Sequence, residues 1–500
     1  MESEVKQKSL KLNMFLNALR GMLSVIFPLI TFPYVSRVLG VEEIGRYNFA
    51  NSLISYFVLI AGLGISSYAI REGARFRNDK VRFNNFTNEI FSINILSTCI
   101  AYLLLVIAMI TVPKLWNYKA LIIIISLQII FTTIGIEWIY SIYEDYAYIT
   151  VRSIVFKLIS IALLFLLVRD ENDVNTYAAT TVFSGVGSNI LNYIHARKYC
   201  KIRLTKKIDW KRHMKPVLVL FAMAVTVTIY VSSDTTILGF LCSYYEVGLY
   251  SVSVKIYNII KSVVSSIVLV SIPRMAAILG KGDKKDFSIV GIDIYNTLLT
   301  AMLPAMIGII ILREQIVLIV SGNEYIGAVP SLAILSVALV MCLGAYFWGQ
   351  AVLVPAKMEN VVLVATIISA VINIGLNFAL IPIWKERAAA FTTFLAEGIA
   401  FLICRYEGKK IIKMKGVGKA LLKIIIGCTG IVGVSFAFRW LKDYMVLYTV
   451  LTITCSIIVY IVIEIILKNE SIISVWNKIR LKIGVKKGEK CIGKIDTDEF

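Results

Sequence analysis

From one end of the chain to the other, long apolar runs alternate with short polar connections. A run of about 20 apolar residues crosses the ~30 Å hydrocarbon core of a bilayer as a helix, whereas a transmembrane barrel strand needs about 10 residues in alternation. The chain shows the first pattern and lacks the second. Fourteen spans are predicted, near 13–37, 47–70, 86–112, 119–142, 147–168, 175–196, 216–241, 248–272, 287–312, 327–354, 360–383, 388–405, 421–438 and 444–467. The expected fold is an all-α polytopic membrane protein with no soluble domain between its spans. Basic residues precede the first apolar run, as in a secretory signal, but the run is too long and no small-residue cleavage site closes it. It is expected to stay as a span.

The pattern also repeats. Leu39-Gly40 and Gly45-Arg46-Tyr47 follow the first span; Leu238-Gly239 and Gly248-Leu249-Tyr250 follow the seventh. Matching the Gly-x-Tyr pairs gives an offset of 203 residues, which sets Asn48, Ser52 and Ser55 on Ser251, Lys255 and Asn258. Steps of four and three residues mark one face of a helix. Two six-helix parallel repeats are therefore expected, at 13–196 and 216–406, joined by a basic linker at 197–215. A basic loop (407–420) leads to two further helices (421–467), and basic segments form the ends at 1–12 and 468–500. The tail fits either a basic amphipathic surface segment or a disordered one.

Charge adds an orientation. With both ends placed on one side, the connections on that side hold 36 of the 52 lysines and arginines, and the opposite connections hold 10. The positive-inside rule makes that side, and both termini, cytoplasmic. This accounts for the net charge of +20 without a nucleic-acid partner. The chain is 58% hydrophobic with a mean hydropathy of +0.78, which excludes a string of soluble domains. Eight scattered cysteines form no CxxC pair, and the two histidines, His195 and His213, sit at or within the linker. No metal, cofactor or catalytic constellation is expected; external connections are too short for the large catalytic loop of a glycan polymerase or ligase.

The candidate chemistry lies on polar stripes inside the spans. At 100° per residue, Asn13, Asn17, Arg20, Ser24 and Thr31 fall within about 60° of one another on the first helix, which also carries Pro28 and Pro33 as bending points. The second helix presents Asn48, Asn51, Ser52 and Ser55, and the eighth presents Ser251, Lys255 and Asn258 with Lys261 at the edge. Several such stripes cannot all face lipid, so they meet one another or line water. A cation at mid-bilayer costs about 3 kcal/mol, relieved by a wet cavity, a partner or snorkelling. Intramembrane acids are few. Asp234 fits either a structural pairing, for instance with Lys255, or the binding of a coupling ion, and Glu137, Asp293 and Glu397 lie elsewhere. Arg152 and Lys157 point about 140° apart, so at most one faces the cavity. The excess of cations, Arg20, Lys255 and Lys261, suggests a chamber that attracts an anion.

The stretch FPLITFPYVSRVLGVEEIGRYNFANS (27–52), with AGLGISSYAIREGARFRND (61–79), resembles the start of Wzx-type oligosaccharide flippases of the MOP exporter superfamily. The resemblance implies a MATE-like fold and movement of an undecaprenyl-diphosphate-linked oligosaccharide, for O-antigen, capsule or related glycans, across the bacterial inner membrane. It further implies a central cavity lined by spans 1, 2, 7 and 8, a coupling ion (proton or sodium), and a polysaccharide polymerase and chain-length regulator as partners. The last two helices would hold the lipid tail, with Lys423 near their cytoplasmic end. A peptidoglycan-precursor flippase and a MATE-type multidrug exporter are the alternatives within the same fold. Drug exporters, however, rely on cavity acids, and the first span here carries Arg20 and no acid.

Overall fold

The computed structural model describes residues 10–414 and 416–473, and every regular element among them is helical. The helices are α1 (Leu10–Gly62), α2 (Ile65–Gly73), α3 (Lys80–Thr111), α4 (Pro113–Trp116), α5 (Lys119–Gly135), α6 (Glu137–Ile142), α7 (Tyr146–Leu167) and α8 (Val174–Val182). They continue with α9 (Asn189–Ala196), α10 (Trp210–Leu241), α11 (Tyr244–Gly280), α12 (Lys284–Ser321), α13 (Val329–Tyr346), α14 (Glu359–Gly408), α15 (Val417–Ala437) and α16 (Met445–Ile466). The basic ends expected at 1–12 and 468–500 fall largely outside the described residues.

Among the described residues, eleven helical stretches are long and apolar enough to cross a membrane, fewer than the fourteen spans that hydropathy predicts. Three features account for the difference. At 1.5 Å per residue the 53 residues of α1 would reach about 80 Å, far beyond one bilayer. The helix breaks at Gly40, whose φ of 73° and ψ of 177° are non-helical, while Pro28 and Pro33 lie in its first part. The 50 residues of α14 break in the same way at Lys385. Residues 174–196 are divided by a five-residue π turn, Phe183–Gly187, between α8 and α9.

Span limits also move. The second span, expected to run to residue 70, ends at Gly62, because Leu63 and Gly64 take left-handed φ values of 46° and 70°. Only glycine suits position 64: a Cβ there would lie 2.7 Å from the Phe221 nitrogen. The fourth span, expected as 119–142, turns at Ile136 with φ 37°.

The chain forms two compact units. The first comprises residues up to Ser253 with Val317–Ala328 and Ala370–Thr392. Within it α1 packs on α3, α5, α7 and α10. A core of Tyr68, Phe83, Phe86, Trp138 and Tyr140 joins α2, α3 and α6, with His213 of α10 against the Tyr68 and Phe86 rings. Asp79 caps α3 by accepting the amides of Val81 and Arg82 at 3.1 and 3.0 Å, which satisfies donors that the helix leaves open. Along the same helix Asn84, Asn88 and Ser92, one turn apart, accept the backbone amides of Lys201, Arg203 and Thr205 at 2.7–2.9 Å. The basic linker is thus pinned to α3. Arg37 performs the opposite task at a helix end, donating to the Leu318 and Ile319 carbonyls in the last turn of α12.

This unit also contains a reciprocal contact that bears on the repeat. A Cβ on Gly45 would sit 1.8 Å from the Tyr244 carbonyl oxygen, and a Cβ on Gly248 would sit 2.1 Å from that of Val41. Adding the 203-residue offset turns Val41 and Gly45 into Tyr244 and Gly248. The two glycines therefore approach each other's helix at matched positions. Asn48 and its repeat partner Ser251 even share a bonding pattern, each donating to the carbonyl four residues back.

The second unit comprises Val254–Ile316, Val329–Ser369 and the residues from Thr393 onward. Here α15 and α16 form an antiparallel hairpin, with Leu441 and Tyr448 packed on Leu312 of α12.

Candidate functional site

Polar residues inside the first unit gather on both sides of α10. On one side Ser52, Ser55 and Tyr56, spaced along one face of α1, meet Ser232 and Thr236, four residues apart on α10. Thr236 donates to Ser52 at 3.0 Å, the Ser55 and Ser232 hydroxyls lie 3.1 Å apart, and the Tyr56 and Thr236 hydroxyls lie 3.3 Å apart. Serines in apolar helices bond their own preceding carbonyls, as Ser52 does with Phe49 and Ser55 with Ser52, so each enters the seam already half satisfied. Asn51 is reached from α5 by Gln128, whose amide donates to its oxygen at 3.4 Å.

On the other side Asp234, which is buried, stands at the centre of an oxygen-rich cluster. Its carboxylate accepts from the Tyr250 hydroxyl at 2.7 Å and from the Asn377 amide at 2.6 Å. Asn377 also donates to the Asn373 oxygen at 3.2 Å and accepts from the Thr392 hydroxyl at 2.6 Å. Ser233 donates to Asn373 at 3.4 Å. Asn373 and Asn377 precede the break in α14 at Lys385 and Thr392 follows it, so the broken helix brings both of its arms to Asp234. All six residues are below a tenth exposed. Among the described residues no three His, Cys, Asp or Glu side chains gather as a transition-metal site would need. One carboxylate with amide and hydroxyl oxygens is the donor set that suits a hard cation or a proton.

Other expected residues fall as follows. Asn17, Arg20 and Ser24 lie on the helical backbone of α1, and their side chains are outside the described residues. Asn48 donates to the Ile44 carbonyl of its own helix at 2.8 Å, and Asn258 is exposed. Lys255 is half-buried. In the second unit Lys261, 36% exposed at its side chain, lies 3.8 Å from the Glu397 carboxylate and over the Tyr257 ring. Arg152 is buried, with Glu137 at 3.1 Å and the Ser188 carbonyl at 3.1 Å. Glu137, one of the few intramembrane acids, thus has a basic partner.

Asn373, Asn377 and Thr392 were not among the residues singled out from the sequence. The signal was present: two asparagines four residues apart in an otherwise apolar span share one helix face. Thr392 had none, because it reaches the cluster only through the break at Lys385.

Residues 10–279 match the family described as "Polysaccharide biosynthesis protein". Among characterised proteins the chain is similar to a "Putative O-antigen transporter" of Escherichia coli (strain K12). The two are 22% identical over 78% of this chain and 94% of that protein. It is also similar to the "Capsular polysaccharide biosynthesis protein CapF" of Staphylococcus aureus, 23% identical over 78% of this chain and 97% of the other. Among solved structures the fold matches "Lipid II flippase MurJ" in an inward closed conformation, with a TM-score of 0.73, 16% identity, and coverage of 90% and 98% of the two chains. An inward-facing "multidrug resistance MATE family transporter of the MOP superfamily" matches with a TM-score of 0.57, 14% identity and coverage of 81% and 100%.

Proposed function

Since the chain belongs to the polysaccharide biosynthesis protein family, we propose that it is a flippase. Its cargo is an undecaprenyl-diphosphate-linked oligosaccharide repeat unit, carried from the inner to the outer leaflet of the bacterial plasma membrane. The observation that carries this reading is the extent of the family match, which takes in the polar faces of α1, α10 and α11 and with them Arg20, Asp234, Lys255 and Lys261. Both termini and the basic linker are cytoplasmic, following the 36-to-10 bias of positive charge.

The mechanism follows from where charge is retained against its cost. A lysine or arginine within a span costs about 3 kcal/mol and persists where an anion uses it. Arg20, Lys255 and Lys261 receive the diphosphate. The 3.8 Å pair between Lys261 and Glu397 is long, with the lysine side chain 36% exposed, and a diphosphate brings more charge and more acceptor oxygens than Glu397 offers. Asn17, Ser24, Asn48, Asn51, Ser52, Ser55 and Asn258 bond sugar hydroxyls. The repeats at 13–196 and 216–406 alternate access, with Pro28 and Pro33 as bending points in α1. The inside-negative potential favours outward movement of the anion by about 2.3 kcal/mol per charge per 100 mV. Asp234 binds the coupling ion, a proton or sodium. A polymerase and a chain-length regulator then use the exported unit.

The test is complementation of a strain lacking its own flippase, reading surface polysaccharide and the lipid-linked repeat unit left inside. The wild-type chain restores export. Arg20→Ala and Lys255→Ala each reduce it about 10- to 100-fold, the loss expected from one charge-assisted contact, while the protein still reaches the membrane. Normal export by the double variant refutes the cationic site. Rescue of a strain deficient in peptidoglycan-precursor transport, or of drug sensitivity, reassigns the cargo.

A further inference from the structure

The terminal hairpin carries a polar row that the transport reading does not use. Thr449, Thr452, Ser456, Tyr460 and Glu464 lie within about 120° of one another on α16, and all five are buried. An apolar membrane helix gains nothing by burying such groups unless something satisfies them. Tyr460 has a partner: its hydroxyl donates to the Thr300 carbonyl of α12 at 2.9 Å. Among the described residues the hydroxyls of Thr452 and Ser456 have none, and neither does Oε1 of Glu464.

Glu464 is the sharpest case. Its side chain is fully buried, and only Oε2 is bonded, by the Asn469 amide. Among the described residues no basic group lies within ion-pair distance of it. Lys423, the nearest cationic influence from α15, instead donates its ammonium to the Lys468 carbonyl at 2.9 Å. Cys428 on α15 and Tyr460 on α16 are the other titratable groups that bear on this corner, and neither brings positive charge. From α12 comes Thr300, a neutral residue; Asp293, two turns earlier on that helix, is exposed. Glu464 also occupies the last turn of α16, where the carbonyl end of the helix repels an anion. The space it fills is shaped for it: a Cβ on Gly427 of α15 would lie 2.4 Å from Glu464 Oε1.

We propose that Glu464 is a proton-binding site, held as the neutral acid at the end of a water-lined polar row along α16. A carboxyl with one unbonded oxygen, no exposure and no cation beside it among the described residues is stable in this place only when protonated. Waters bridging Thr452 and Ser456 supply the partners that those hydroxyls lack, since buried waters settle where polar groups are left open. The turn after α16, where Asn469 and Lys468 hold the corner shut, is the gate at which the site meets water. The inference is independent of which lipid the protein carries.

The test uses the full-length protein in lipid nanodiscs and the hydrophobic reagent dicyclohexylcarbodiimide. A protonated carboxyl gives its proton to a carbodiimide nitrogen, and its oxygen bonds the central carbon; the adduct rearranges to a stable acylurea that peptide mass spectrometry locates. The expected result is labelling of Glu464 at pH 6 that falls about tenfold per pH unit above its midpoint. Glu464→Gln removes that adduct and leaves other labelled carboxyls unchanged. Absence of the adduct at every pH, or a yield that does not vary with pH, overturns the proposal. So does a wild-type midpoint at that of an exposed glutamate. The wild-type profile decides the matter even if a variant fails to fold.

Discussion

The contact between Gly45 and Gly248 makes a demanding prediction, because both sides of it are backbone. Side-chain Cβ atoms essentially never approach another heavy atom within 3.0 Å, yet a Cβ on Gly45 would lie 1.8 Å from the Tyr244 carbonyl oxygen and one on Gly248 2.1 Å from that of Val41. Gly45→Ala therefore forces α1 and α11 apart by about 1.2 Å, and Gly248→Ala by about 0.9 Å. No rotamer change relieves either clash. Overpacking of this kind costs about 1–3 kcal/mol, with the upper part of that range expected against rigid backbone. The two substitutions should also couple. Once the first has opened the joint the second finds room, so the double variant loses clearly less than the two single losses combined. The assay is thermal unfolding of the purified protein in detergent, followed by tryptophan fluorescence. Gly433→Ala serves as the control, since nothing lies within 4 Å of its added Cβ. Each joint variant should melt several degrees below wild type and the control should not. A Gly45→Ala protein that melts with the wild type, or strict additivity in the double variant, refutes the reciprocal-contact argument.

Three further outcomes are expected. Asp234→Asn keeps the shape and most bonds of the cluster but removes its charge, so export measured in inverted vesicles should lose its response to sodium or to pH; an unchanged cation response would count against the coupling site. His213 is fully buried between the Tyr68 hydroxyl at 2.7 Å and the Glu89 carboxylate at 3.0 Å. His213→Phe strands both and should cost about 1–3 kcal/mol, read as a lower melting temperature and faster proteolysis at residues 200–209, whereas equal resistance would exclude a role for the pair. Burial pushes the Cys200 thiol up to about 11. Alkylation needs the thiolate, so at pH 8 Cys200 should react about a hundredfold more slowly than a free thiol until the protein is unfolded, and rapid labelling of the folded protein would contradict that burial.

Hydrophobic periodicity alone determined that the chain is an all-α membrane protein, because spanning a bilayer demands uninterrupted apolar helices whatever they pack against. The recurrence of the Gly-x-Tyr pair at 45–47 and 248–250 is legible for a similar reason. Gly45 and Gly248 are required where the backbones of α1 and α11 touch, so their spacing survives in the sequence. Ser52 and Ser55 were recognisable as one helix face, although not as partners of Ser232 and Thr236. What the sequence left undecided depends on where helices break and turn. The limit of the second span rests on left-handed φ values at Leu63 and Gly64, and the Asp234 cluster exists because α14 breaks at Lys385 and returns Thr392 to Asn373 and Asn377. The bond from Asn377 to Asp234 joins residues 143 positions apart. Helical periodicity reports which face a residue occupies, and only the packed chain decides what that face meets.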